Sequence, residues 1–83
     1  MKESELTNVM FYKHKPTNEI FAIFTDNRYP FDANMFEGYA NIGQHSLYHK
    51  LYIKESIPAR LDEYQNLLIE LIDLIGYKLN VLN

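Results

Sequence analysis

The chain has 83 residues, 47% of them hydrophobic and 14% aromatic, with no cysteine and a formal net charge of -3. That is enough for one domain with a small core and too apolar for a disordered segment. Without a thiol, it excludes disulfides, thiolate metal sites and thiol catalysis. The acidic excess lies in residues 55–83, where Arg60 and Lys78 stand against Glu55, Asp62, Glu63, Glu70 and Asp73. No clustered basic surface of the kind that neutralises phosphates accompanies it, which disfavours nucleic acid as a partner.

Residues 1–83 read as a single domain, with 1–7 as a flexible N-terminal tail. The opening Met1-Lys2-Glu3-Ser4-Glu5 leads into no apolar run of signal or membrane-span length, so the cytoplasm is the expected compartment. A first strand opens at Val9-Met10-Phe11-Tyr12, and Ile20 to Thr25 is a second, rich in β-branched and aromatic residues. Lys15-Pro16-Thr17-Asn18-Glu19 between them has turn chemistry: Pro16 sets φ and Asn18 tolerates a left-handed backbone, so the pair reads as a hairpin. On the second strand Phe21 and Ile23 point one way and Ile20, Ala22 and Phe24 the other. Both faces are apolar, so both require a cover. One cover is the C-terminal helix; the other is the middle of the chain or a second subunit.

Asp26 to Asp32 reads as a loop, with Pro30 steering Tyr29 away from helix. A third strand is expected from Glu37 to Ile42, broken at Gly43. Leu47, Tyr48, Leu51 and Tyr52 recur at helical spacing and predict a short helix over residues 46–55. The main amphipathic helix spans about residues 59–75, with Pro58 suiting its start and Gly76 its stop. On a helical wheel Leu61, Tyr64, Leu67, Leu68, Leu71, Ile72, Leu74 and Ile75 share an arc of about 160°. Asp62, Glu63, Asn66, Glu70 and Asp73 oppose them, and Ile69 is the apolar exception on the polar side. Tyr77, Leu79 and Val81 then alternate as a final strand. The expected class is α+β: a small antiparallel sheet of hairpin, middle strand and C-terminal strand, packed on one main helix.

Four groups of residues carry candidate chemistry. His45 and His49, four apart, would share a helix face at metal-chelating spacing, but no acidic third ligand follows them, and surface or hydrogen-bonded histidines are the commoner outcome. His45 and Ser46 could form a base–nucleophile pair, yet adjacent side chains diverge and no orienting acid is near, so a turn at Gly43-Gln44-His45-Ser46 is the preferred reading. Asp62, Glu63, Glu70 and Asp73 form an acidic face that is either simply solvated or a surface for a basic partner. The dense set of Tyr and Phe could stack bases on a sheet, though arginine is sparse; core packing and protein contact suit them better.

Tyr39-Ala40-Asn41-Ile42-Gly43-Gln44-His45-Ser46, Ile57-Pro58-Ala59 with Glu63-Tyr64, and Ile75-Gly76-Tyr77-Lys78-Leu79-Asn80-Val81 carry a resemblance. Across about residues 9–82 the chain resembles small uncharacterised proteins of bacterial genomes and their phages or mobile elements, in which a hairpin precedes a G-Q-H segment and an E-Y…I-G-Y helix closes the chain. It departs from that pattern at Asn18, where a turn glycine is expected. The resemblance implies a single domain and draws attention to His45, and it implies no activity. The function expected is a non-enzymatic protein-interaction module, binding itself as a homodimer or another protein, with no cofactor and no membrane partner. A small metal- or histidine-dependent enzyme and a single-stranded nucleic-acid binder are the alternatives.

Overall fold

The structure, a computed structural model, describes residues 6–28, 31–40 and 44–83. It is an α+β fold: a six-stranded mixed sheet carries one main helix on one face and a short helix on the other. The strands are β1 (Thr7–His14), β2 (Ile20–Arg28), β3 (Met35–Ala40), β4 (Gln44–His49), β5 (Ser56–Pro58) and β6 (Leu79–Val81). Their order across the sheet is β4-β3-β2-β1-β5, and β6 also pairs with β1.

The β1–β2 hairpin forms as its turn chemistry predicts. Asn18 has φ 62°, doing in left-handed conformation what glycine would otherwise do, and its N–H donates to the His14 carbonyl at 2.7 Å. β2 runs on through Asp26 to Arg28, where the sequence suggested a loop; its pairing with β3 shifts register between Ile23 and Arg28. β3 starts at Met35, earlier than expected, and Asn41, Ile42 and Gly43 lie outside the described residues. β1 begins at Thr7, within the expected tail; residues 1–5 are also outside the described set.

Ile20, Ala22 and Phe24 share a face with Val9, Phe11 and Tyr39, and onto it pack Tyr64, Leu67 and Leu71 of the main helix. That helix, α2 (Leu61–Ile69), continues into a π-helical stretch, Glu70–Ile75. The widened turn advances less per residue than an α-turn, so the apolar arc drifts off the sheet. Leu71 is fully buried, but Leu74 is 78% exposed, a departure from the all-α wheel. Gly76, at φ 91°, stops the helix as its position predicts. Pro58 does not start α2. It closes β5, an edge strand, where its missing N–H costs no ladder bond.

Phe21 and Ile23 occupy the other face with Tyr12, Phe36, Tyr48, Tyr52 and Ile53. Its cover is the middle of the chain, as one of the two sequence readings had it. The expected helix over 46–55 is half right: residues 44–49 are strand, and only Lys50–Lys54 form α1. Tyr48 reaches Phe21 from the strand, its ring 4.7 Å away, and Tyr52 folds back onto the same ring from the helix at 5.2 Å. Two elements meeting over one phenylalanine imitate helical spacing.

The sheet is also mixed rather than antiparallel. β6 runs parallel to β1, Thr7 against Leu79 and Val9 against Val81, while β5 pairs antiparallel with the other end of β1. Between those two short strands the Asn83 side chain takes the place of a strand: its Oδ1 accepts from Phe11 N–H at 2.8 Å, and its Nδ2 donates to the carbonyls of Phe11 and Ala59.

Candidate functional site

The two candidate metal ligands fall on β4, not on a helix. At about 3.3 Å per residue they stand roughly 13 Å apart along one strand, too far to share an ion within one chain. Each has another engagement. His45 Nε2 lies 3.2 Å from the Tyr77 hydroxyl, and its ring meets Tyr39 edge-on. His49 is the N-cap of α1, its Nδ1 accepting from Leu51 N–H at 3.1 Å. No group of three or more His, Asp or Glu side chains able to hold a metal ion occurs among the described residues. Ser46 alternates with His45 to the opposite face of the strand, away from its imidazole.

The four acidic residues divide. Asp62 is exposed and paired with Arg60 at 3.0 Å, which holds its carboxyl below the ordinary range. Glu63 accepts from Arg60 N–H at 2.9 Å and from Lys13 Nζ at 2.9 Å, and these bonds lower its carboxyl too. Glu70 accepts from the buried Tyr39 hydroxyl. Glu63 and Glu70 sit beside the buried stripe of the helix, within reach of the sheet, whereas Asp62 and Asp73 lie on the exposed side. Glu63 and Glu70, with Glu19, line a cleft of about 380 Å³ floored by Ile20, Ala40 and Leu67. Glu19 already accepts from the Tyr52 hydroxyl. All three carboxylates of the cleft are therefore tied to neighbouring donors.

A cluster not singled out from the sequence surrounds His14. Its Nδ1 is 2.9 Å from Thr17 Oγ1 and its Nε2 is 3.1 Å from Glu55 Oε1. Hydroxyl, imidazole and carboxylate follow one another as in a hydrolase triad. His14, however, is 5% exposed, and its ring stacks flat on Tyr52 at 3.8 Å. Thr17 Oγ1 also accepts from Glu19 N–H within the turn. The cluster ties the hairpin turn to the end of α1. Burial, with Glu19 close by, pushes the Tyr48 and Tyr52 hydroxyls up to about 12. Of the rings offered for stacking bases, Phe11 packs on Tyr64, and Tyr12, Tyr48 and Tyr52 pack on Phe21, whereas Phe31 is 85% exposed.

What the fold leaves open is the outer edge of β4. Lys50 N–H donates to the Asn34 carbonyl at 2.8 Å, one step beyond the Met35–His49 pair. Antiparallel ladders alternate bonded and non-bonded pairs, so Tyr48 and Ser46 turn their amides toward β3, and His45, Leu47 and His49 turn theirs outward. Among the described residues no strand pairs with that edge. No known protein family, curated protein or solved structure matches the chain. The edge must therefore be read from its own chemistry. Gln44-His45-Ser46-Leu47-Tyr48-His49 contains no proline, lysine, arginine or acid, the residues with which exposed edges are ordinarily blunted. α1 does not cover it, because Tyr52 and Ile53 pack on the sheet face instead. The absence of charge and proline over six residues was visible in the sequence; a helical reading of the segment hid its meaning.

Proposed function

We propose that this protein is a non-enzymatic interaction module that takes an extended protein segment onto the edge of β4. The carrying observation is the outward-facing, uncharged ladder of His45, Leu47 and His49. Main-chain bonds at such an edge give affinity, and alternate side chains give selectivity. Leu47, 41% exposed beside the ladder, is the natural apolar contact.

Capture of partners from host cells with the wild-type chain, Leu47→Lys and Leu47→Pro tests the reading. Leu47 N–H points away from β3, so proline is tolerated there by the fold but removes an outward donor. Partners held by the wild type are expected to be lost by both variants, and the His45 and Leu47 amides to become protected from hydrogen exchange in the complex. Partners retained by both variants would overturn it.

A further inference from the structure

We infer that the segment received by β4 is β4 of a second copy, paired antiparallel about a two-fold axis through Leu47. This rests on the edge-docking reading and names its occupant. Only odd-numbered residues of the strand turn their amides away from β3, so odd residues must face odd residues across the new ladder. Among such registers, Leu47 opposite the partner's Leu47 engages the whole span from His45 to His49. The sequence His45-Ser46-Leu47-Tyr48-His49 is close to symmetric about its centre. That register sets leucine on leucine, His45 on the partner's His49, and Ser46 on the partner's Tyr48. The strand holds no lysine, arginine, aspartate or glutamate to set like against like across the ladder. An isologous contact of this kind closes on itself and stops at two chains. It also brings together in trans the two histidines that one strand holds apart.

Light scattering of the full chain at neutral pH and micromolar concentration is expected to give twice the 9.9 kDa chain mass. Leu47→Lys sets two ammonium groups opposite each other and is expected to halve that mass, with an unchanged circular dichroism spectrum and a cooperative melt. The register is read separately. The chain has no cysteine, so Leu47→Cys is expected to cross-link to a dimer under mild oxidation. His45→Cys, whose thiol would face the partner's His49, is expected to stay uncross-linked. A monomeric wild type, a dimer that survives Leu47→Lys, or equal cross-linking of the two cysteine variants would overturn the inference. If the wild type is monomeric while captured partners are still lost by Leu47→Lys, the second copy alone is refuted. Partners that persist in the variants refute the edge itself.

Discussion

The two edges of this sheet are finished in opposite ways. At β1 the chain supplies two short strands, β5 and β6, and seals the gap between them with the Asn83 side chain. At β4 it supplies nothing among the described residues, and leaves the strand without the charges or proline that discourage pairing. A fold that satisfies Phe11 with a single side-chain amide closes its ladders thoroughly where it closes them at all. The docking proposed at β4 rests on this contrast.

The largest effect should come from the element that delivers β6 to the closed edge. The Leu71 carbonyl accepts from Gly76 and Tyr77 N–H, both at 3.1 Å, and its side chain is fully buried. Leu71→Asp puts an unpaired carboxylate into the core, at a cost on the order of the domain's whole stability of about 5–15 kcal/mol. Loss of the cooperative thermal transition is the expected result. Asn83→Ala removes three hydrogen bonds and orphans the Phe11 N–H. A loss of about 2–3 kcal/mol in denaturant unfolding is expected.

On the open side the sensitive position is Gly38. A Cβ there would lie 2.4 Å from the Ala22 carbonyl oxygen and 2.7 Å from the Tyr48 ring. Gly38→Ala is expected to cost about 1–3 kcal/mol as Tyr48 is pushed off its seat. Alkali probes the same aromatic face more gently. The Tyr48 and Tyr52 hydroxyls ionise near 12 in the fold and near 10 when unfolded. Above 10 the unfolded chain therefore binds fewer protons than the folded one, and stability falls as pH rises from about 10 to about 12. Two late tyrosines in an ultraviolet titration, with a declining melting temperature over that window, would confirm the sign. Smallest of all, Leu47→Lys is expected to change the stability of the dilute monomer by no more than about 0.5 kcal/mol. A larger loss would mean that the β4 edge is part of the scaffold after all.

Much of the closed half was legible in the sequence. Pro16 and Asn18 announced the hairpin, the Tyr64–Leu67–Leu71 spacing announced the buried helix stripe, and Gly76 announced its end. Periodicity misled where two elements share one target, as at Tyr48 and Tyr52 over Phe21. It also misled where the backbone changes pitch, as at Leu74 within the π-helical stretch. Pro58 is equally at home at a helix start and on an edge strand, and only the pairing with Tyr12 decides between them. The acidic face split because glutamate is long enough to reach the sheet from the flank of the helix. The His14 cluster is completed by Glu55, 41 positions away, a separation at which no local pattern speaks.

The bond between Phe11 and Asn83 spans 72 residues, and this separation sets an order of events. The β1–β2 and β3–β4 pairings close over short segments, whereas joining β6 to β1 means bringing together the two ends of the described chain, a larger entropic toll. The meander is then expected to assemble first, with both of its edges bare, and the Asn83 seam to form after the folding barrier. Asn83→Ala should consequently hasten unfolding while leaving the folding rate nearly unchanged, which stopped-flow measurements of both rates would reveal. A nascent chain thus passes through a stage in which the β1 edge is as receptive as the β4 edge, and the late seam is what turns a two-sided template into a one-sided one.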